Sequence, residues 1–554
     1  TSFSNYQIMD GLPTILNKDG HVNDDHTDNM STTTELTWTP VKGLEIKGNF
    51  TYMFNTTRYT NRQVNTEYSQ YPGEINTLTS GKMEDKLYEK SMTHTYYQAN
   101  LYGTFERTFA RDHNFKAMVG FNWETKFLKD VAATGYNLLS ETLNDLNLVG
   151  QGADGDKRME VGGGQNEYAL MGFFGRLNYD YKGKYLVEAS GRYDGTSRFK
   201  RGQRWGFFPV VSAAWRLSEE SFIKDNVPFL TNLKFRASWG RSGEDAGNPF
   251  QYIPGYVGSG GYVLGGGKYT NGYASSGLMN ANLTWVSTET TDFGMDLTMW
   301  DGLLDFSFDI YRRDRDGLLG NRLGALPNTF GATMPQENLN ADRTEGFELM
   351  IGHRNQVGEF HYGVTANMNF SRSKTTFQER SPYRSSWDRW KNGNIDRYHD
   401  IGWGYEVIGR YHNYDQIRNG VIETGGYGNS KTLPGDYMHL DLNGDGVING
   451  NDMKPMFWNG QPKMTFGITL YASWKGLDFN MLWSGAAKYT AKYNEVLGNV
   501  LALDSSNSPA FYYDRWHLAD VYDPNSAWIP GKYPATRRTD ADNGASVSMR
   551  PTPV

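Results

Sequence analysis

The most regular pattern in this chain is the strict alternation of apolar and polar residues over residues 44–55. The apolar positions would share one face of a strand: Leu44, Ile46, Gly48, Phe50, Tyr52 and Phe54. A period of two predicts a β-strand with one greasy face. Similar strands of about 9 to 13 residues recur, which is about the length that a tilted strand needs to cross a bilayer. The pattern therefore predicts strands that cross a membrane.

Composition agrees with strands in a membrane and argues against several other classes. The 554 residues include 36 Tyr, 29 Phe and 15 Trp, although the mean hydropathy is only -0.65. No run of about 18 apolar residues occurs, which excludes a helical span, whereas a barrel strand needs an apolar residue only at every second position. A net charge of -7 argues against nucleic-acid binding. The absence of Cys excludes disulfides, zinc fingers and thiol catalysis.

Very short turns alternate with long, polar connections along the chain. Glycine at each short turn supplies the positive φ that a tight hairpin requires, at residues 41–43, 182–184, 301–302 and 475–476. The long connections are rich in Gly, Asn, Asp, Ser and Tyr: residues 56–93, 128–165, 242–283, 315–343 and 375–400. This asymmetry is typical of outer-membrane barrels.

The predicted fold class is all-β, a large antiparallel transmembrane β-barrel that fills residues 1–554. We count about 14 strands, and an open sheet of that size would leave edge amides unsatisfied in hydrocarbon. We therefore expect further strands outside this sequence, about 22 in the complete barrel, and we expect both ends of the chain to be trimmed. The alternative is a soluble sheet whose apolar faces are covered by protein.

Four blocks occur in order: RYDGTSRFKRGQRWGFFPVVSAAWRLSEESF from Arg192 with LKFRASWGRSG from Leu233, NANLTWVSTETTDFGMDL from Asn280 with YRRDRDGLL from Tyr311, PGDYMHLDLNGDGVINGNDM from Pro434, and NGQPKMTFGITLYASWKGLDFNMLWSG from Asn459. Together they resemble the SusC/RagA family of TonB-dependent outer-membrane transporters. The sequence departs from the family at Val286, where Glu usually follows the Trp. The family's plug, TonB box and closing C-terminal strands have no counterpart here.

The resemblance implies the barrel of a nutrient importer in the outer membrane of a Gram-negative bacterium, surrounded by outer-membrane lipid. It also implies a plug, a SusD-like lipoprotein lid, the TonB–ExbB–ExbD complex as the energy source, and an oligosaccharide or a peptide as cargo. We expect no enzymatic activity and no nucleic-acid partner. The alternatives are a passive porin or adhesin barrel and a soluble β-rich carbohydrate-active protein.

Residues 434–456 contain a DxNxDGxxxxxD loop that is a candidate metal site. Alternate side-chain oxygens and one backbone carbonyl can surround a hard cation such as Ca²⁺, with these predicted ligands: Asp441, Asn443, Asp445, Val447 and Asp452. Aspartate at the last position has a shorter reach than glutamate, which leaves Mg²⁺ as an alternative. The competing interpretation is an Asx-rich turn held by its own backbone hydrogen bonds.

Residues 381–400 place Tyr383, Trp387 and Trp390 among charged residues in a predicted outer loop. Exposed aromatic side chains in this loop would stack on sugar rings or peptide side chains, or pack against a partner lid. The competing interpretation buries them within their own loop. No HExxH or GxSxG motif is present, and no catalytic residue is predicted.

Overall fold

A single large antiparallel sheet dominates the computed structural model, which describes residues 2–3, 6–7, 20–68, 73–77, 85–151, 158–322, 334–423, 428–491 and 510–535. The sheet has fourteen strands, each hydrogen-bonded to its neighbours in chain order. The strands are β1 Val22–Val41, β2 Leu44–Gln63, β3 Lys86–Phe109, β4 His113–Tyr136, β5 Met159–Tyr181, β6 Tyr185–Thr196, β7 Trp205–Arg216, β8 Leu230–Glu244, β9 Val286–Met299, β10 Leu304–Asn321, β11 Gln336–Val357, β12 Phe360–Phe377, β13 Met464–Trp474 and β14 Leu477–Ala487. Their number agrees with the number predicted.

The predicted short turns are confirmed, and their backbone geometry explains their glycines. Gly43, Gly183 and Gly476 have φ values of 89°, 65° and 85°. At Gly43 an added Cβ would also lie 2.5 Å from the backbone oxygen of Glu106 on β3. A left-handed backbone matches the twist of the flanking strands, and only glycine adopts it without a steric cost.

The chain divides into two compact units, and the first comprises residues 1–220, 236–291 and 316–339. Across β1 to β7 the register aligns one apolar residue from every strand in a single row: Leu36, Gly48, Leu101, Phe121, Phe173, Tyr193 and Phe207. Leu36 is 75% exposed and Leu101 is 57% exposed. A continuous exposed apolar face is favourable in contact with lipid hydrocarbon and unfavourable in contact with water.

The opposite face of the same strands carries polar residues in register. The row directly behind the apolar one is Glu35, Asn49, Asn100, Asn122, Gly172, Asp194 and Gly206. Asn100 donates to Asn49 over 2.7 Å and Asn122 donates to Asn100 over 2.6 Å, so the amides form a ladder across three strands. The predicted separation of apolar and polar faces is confirmed for residues 44–55.

The second unit, residues 221–235, 292–315 and 340–554, has the same two-faced strands. Ile351, Ala366, Ile468 and Trp483 align across β11 to β14, and Trp483 is 58% exposed. Thr365, the residue before Ala366, lies on the opposite face, where it pairs with Gly352 on β11 and with Thr469 on β13. The alternation predicted for β12 is therefore confirmed.

Several strands are longer than the pattern predicted. β3 and β4 each have 24 residues, and β2 continues to Gln63. The additional segment of β2, residues 56–63, pairs with residues 86–93 of β3 and is almost entirely polar. Such a segment is stabilised by the hydrogen-bonded ladder and has no apolar face, so hydrophobic alternation does not reveal it.

Short helices and strands lie outside the large sheet. Among the described residues, the α-helices are α1 Ser221–Lys224, α2 Ser386–Asn392 and α3 Tyr414–Asn419. The short strands are Ser2–Phe3, Tyr6–Gln7, Glu67–Tyr68, Asn76–Thr77, Tyr256–Leu264, Lys268–Ser275, Ile401–Tyr405, Val407–Arg410, Tyr437–His439, Met453–Trp458, His517–Leu518 and Trp528–Ile529. Within the described ranges, no helix has the length and apolar character needed to cross a membrane.

Candidate functional site

Both predicted sites lie in the connection between β12 and β13, residues 378–463. Its described residues pack with residues 510–535, and we call the two segments together the cap. The cap has a small core of its own, made of buried residues on both segments: Tyr411, Ile417, Ile448, Tyr512 and Trp516. A loop with a core is held in one conformation and can present fixed side chains.

A buried ion pair ties the cap to β12. Arg372 on β12 donates through Nε and Nη2 to the two carboxylate oxygens of Asp400, over 2.7 and 2.8 Å. Asp400 is completely buried. The guanidinium carbon also lies 3.6 Å from the ring centroid of Tyr398. A bidentate pair of this kind fixes orientation as well as distance.

The PGDY motif from Pro434 closes the two cap segments on each other. Gly435 has a φ of 95°, and an added Cβ would lie 2.3 Å from the indole of Trp516. Arg410 donates to the backbone oxygens of Gly435 and Lys532, each over 2.7 Å. The motif therefore has a structural role, since its glycine admits the tryptophan of the second segment.

A buried carboxylate organises the middle of the cap. Glu423 accepts hydrogen bonds from the Tyr411 hydroxyl over 3.1 Å and from the backbone N–H of His439 over 3.0 Å. The His439 Nδ1 lies 2.7 Å from the other carboxylate oxygen. Burial raises the pKa of Tyr411, and the neighbouring charge of Glu423 raises it further. The hydroxyl therefore stays a hydrogen-bond donor.

The predicted metal ligands form one tight turn. Asp441 accepts from the backbone N–H of Gly444 over 2.8 Å and of Gly446 over 2.7 Å. The buried Asp452 accepts from the N–H of Leu442 over 3.0 Å and of Asn449 over 2.7 Å. These bonds are the Asx-type closure that the competing interpretation describes.

The same turn keeps a donor set that fits a hard cation. The Val447 N–H donates to Asp445 over 2.9 Å, and this bond, with a second from the Asn443 side chain, holds the pKa of Asp445 below its usual range. An aspartate oxygen that accepts one N–H retains a second lone pair for a metal. Within the described ranges, no three His, Asp or Glu side chains group as a metal site. The metal site stays a prediction.

The predicted aromatic residues separate into two places. Ser385 caps α2 by accepting from the N–H of Asp388, and Trp387 and Trp390 follow three positions apart on that helix, with ring centroids 5.0 Å apart. Trp390 is 40% exposed. Tyr383 lies before the helix, 3.7 Å below the guanidinium of Arg380.

A third tryptophan joins this pair, which the sequence alone did not indicate. Trp403, on the strand Ile401–Tyr405, meets Trp390 edge to face with ring centroids 5.3 Å apart. Lys391 and Arg397 lie over the Trp403 ring, with Nζ 4.0 Å and the guanidinium carbon 5.0 Å from its centroid. Three tryptophans and two cations thus form one aromatic and basic surface.

A sheet of fourteen strands, the first seven of which have one apolar and one polar face, is typical of the class of large membrane β-barrels. Residues 3–534 match the family model described as TonB dependent receptor-like, beta-barrel, and the chain belongs to this family. Membership implies the outer membrane of a Gram-negative bacterium. The family consists of receptors and is not an enzyme class.

The relatives agree with the predicted SusC/RagA branch, which is confirmed. The chain is 28% identical to TonB-dependent receptor P3 of Formosa agariphila, over 75% of this chain and 41% of that protein. It is 30% identical to TonB-dependent receptor SusC of Bacteroides thetaiotaomicron, over 56% of this chain and 30% of that protein. The chain therefore spans less than half the length of the curated relatives that it matches.

Solved structures of the same fold include the RagAB peptide importer. The match to the closed-closed state of that importer covers 95% of this chain and 54% of the matched chain, with a TM-score of 0.70 and 17% sequence identity. The open-open state gives a TM-score of 0.72 at 16% identity. At this identity the likeness establishes the barrel fold, while the strand count of the complete barrel stays a prediction.

Proposed function

We propose that this chain is the barrel of an active importer in the outer membrane, with SusC-like organisation. The observation that carries the proposal is the two-faced sheet: an exposed apolar row outside and an amide-rich polar row opposite it. Such a sheet meets lipid on one surface and a hydrated passage on the other. Membership of the TonB-dependent receptor family supports energised import.

The proposed cargo is an oligosaccharide or a peptide, and the proposed partner is a SusD-like lipoprotein that covers the cap. One relative is named SusC, and the solved RagAB structures are described as a peptide importer. The cap supports this proposal because three of its tryptophans contact one another and are held in fixed positions. The proposed energy source is the TonB–ExbB–ExbD complex, acting on a plug inside the barrel.

Uptake and cell fractionation test this proposal. In cells that carry the full-length gene, we expect the protein in the outer membrane and uptake of labelled cargo that stops when TonB is deleted. Uptake that continues without TonB would identify a passive porin. Protein that stays in solution after detergent-free lysis, and releases shorter glycans from a polysaccharide, would identify a soluble carbohydrate-active protein instead.

We also propose that the turn of residues 441–452 binds Ca²⁺, with Mg²⁺ as the weaker alternative. Asp441, Asn443, Asp445, Val447 and Asp452 would hold the ion through side-chain oxygens and one backbone carbonyl. The ion would stiffen the cap and has no role in chemistry. Its support is the retained lone pairs on carboxylates that the turn already positions.

A further inference from the structure

Two cations contact the Trp403 ring, and the surroundings of both disfavour their charged forms. Lys391 Nζ lies 4.0 Å from the ring centroid and the Arg397 guanidinium carbon lies 5.0 Å from it. Partial burial lowers the pKa of both groups, and the positive charge of Arg397 lowers the pKa of Lys391 further. Like charges held together out of water are unfavourable until an anion joins them.

Neighbouring side chains do not supply that anion. Across the described ranges, no carboxylate forms an ion pair with Lys391 or Arg397, whereas the nearby acids have other partners. Asp388 accepts from the Asn392 side chain over 2.8 Å, and Asp396 lies 3.9 Å from Lys374. The anion would therefore come from outside this surface.

Arg397 and Lys391 differ in how many of their N–H donors already have a partner. Arg397 donates to the backbone oxygens of Trp390 and, over 3.0 Å, of Lys391, so it fixes the end of α2. The Lys391 ammonium has three N–H donors, and its one neighbour among the described contacts is the Trp403 ring. Lys391 is thus the group that remains available to a ligand, and Arg397 adds a second, fixed charge.

The aromatic part of this surface stands beside the charges. Trp390 connects Trp387, at 5.0 Å between centroids, to Trp403, at 5.3 Å. Trp390 is itself 40% exposed. A flat apolar ring next to a cation matches a ligand unit that is itself a ring with a carboxylate attached.

We propose that the cation–tryptophan cluster, Trp387, Trp390, Lys391, Arg397 and Trp403, binds an acidic sugar unit of an oligosaccharide. Lys391 would pair with the carboxylate while the C–H face of the pyranose packs on Trp390. An acidic peptide offers the carboxylate on a flexible chain without the ring, so the aromatic wall favours the sugar. This inference rests on the proposed function and specifies the cargo as an anionic oligosaccharide.

Binding measured on the purified full-length protein in detergent tests the proposal without transport. The probes are hexagalacturonate and its fully methyl-esterified form, which has the same rings and no charge. We expect the acid to bind the wild-type protein more tightly than the ester. Lys391→Met should weaken binding of the acid by about tenfold, as expected for losing a hydrogen bond to a charged group. Binding of the ester should not change.

Arg389 provides the matched control, because it is exposed on the same helix and lies outside the cluster. Arg389→Met removes the same charge and should change binding of the acid by less than about twofold, whereas Lys391→Arg should restore most of the affinity. Trp390→Ala should weaken both probes. These variants distinguish a direct contact of Lys391 with the ligand from the overall electrostatic attraction of the cap.

Three results would overturn the proposal. The first is equal binding of the acid and the ester by the wild-type protein, and the second is unchanged binding of the acid by Lys391→Met. The third is Lys391-dependent binding of a hexaglutamate peptide without binding of hexagalacturonate, which would assign the carboxylate to a peptide. Because the assay needs no TonB, its failure is distinguishable from failure of the import proposal, which TonB-dependent uptake measures.

Discussion

At the scale of single residues, Gly435 shows how one missing side chain holds two segments together. We expect Gly435→Ala to destabilise the cap by about 2–4 kcal/mol, because the methyl group would overlap Trp516 and the φ of 95° would become strained. Limited proteolysis of the folded protein, followed at residues 378–463, measures this loss. The expected result is faster cleavage there than in the wild-type protein.

Gly444→Ala is the matched control for that change. Gly444 has a φ of 75°, and no atom lies within 4 Å of the position that a Cβ would take. Its substitution should cost the backbone strain alone, about 1 kcal/mol. Equal cleavage rates in the two variants would contradict the role assigned to Trp516.

The Arg372–Asp400 pair makes a second prediction at this scale. Arg372→Met would leave the fully buried carboxylate of Asp400 without its partner, and we expect a loss of about 3–5 kcal/mol in cap stability. The double variant Arg372→Met with Asp400→Leu should recover most of that loss, since it removes both charges. Thermal unfolding followed by tryptophan fluorescence measures both. A double variant as unstable as the single one would contradict the explanation by an unpaired charge.

Some contacts between single residues cannot be predicted from the sequence. Tyr383, Trp387 and Trp390 were visible as aromatics among charges, but Lys391, Arg397 and Trp403 were not linked to them. The contacts arise because a seven-residue helix turns back onto the strand Ile401–Tyr405. A helix of two turns is too short to show an apolar period, and contacts between two such elements leave no local pattern. The role of the three predicted aromatics as ligand contacts stays a prediction.

At the scale of elements, the turn of residues 441–452 separates fold from metal binding. Asp445→Asn keeps an oxygen for the Val447 N–H and removes one charge. We expect it to lower the affinity for Ca²⁺ by about tenfold or more, since ligand charge sets that affinity. Proteolysis of residues 434–456 with and without chelator measures the effect. Protection by Ca²⁺ that is the same in both proteins would count against the site.

Acidity should act on the same turn through Asp445. The Val447 N–H holds the pKa of this carboxyl below its ordinary value, so the folded turn favours the charged form. The resulting stabilisation is complete above about pH 4 and is lost as the pH falls through the lowered pKa. Calcium protection, which needs the charged carboxylate, should disappear over the same range.

The strands show why element type was predicted better than element length. Residues 44–55 alternate because one face meets an apolar phase, and this segment was recognised. Residues 22–28 of β1 and 56–62 of β2 pair through backbone hydrogen bonds and polar side chains, for example Thr27 with Thr57 and Asp28 with Arg58. The backbone ladder contributes equally along a strand but has no sequence signature. The predicted connections were too long for this reason.

At the scale of the whole molecule, the sheet predicts opposite responses at adjacent positions. Leu101 lies in the exposed apolar row, while Asn100 lies in the polar ladder behind it. Leu101→Arg should destabilise the membrane-inserted protein by about 2–4 kcal/mol, whereas Asn100→Arg should cost much less. Folding into lipid vesicles, followed by the gel shift between heated and unheated samples, compares them. Equal yields would contradict contact of the apolar row with lipid.

The barrel class and the family followed from sequence because they depend on repeated features. Strand alternation, glycine turns at residues 43, 183 and 476, and four ordered blocks each recur over hundreds of residues. The number of strands in the complete barrel, the cargo and the lid do not follow from any such repeated feature. For that reason they stay predictions and proposals.

The longest strands have a consequence for where cargo first touches the protein. β3 and β4, at 24 residues each, extend about 80 Å along their own direction, or about 60 Å vertically when tilted as in known barrels, while the apolar band is about 25 Å tall. The register of β2 and β3 places the polar ends of these strands next to the long connection between them. The paired strands would therefore extend tens of ångströms beyond the lipid. Molecules bound at the outer end of these strands would be captured beyond the lipopolysaccharide layer. They would then pass along the hydrated polar face of the strands before they reach the depth of the membrane.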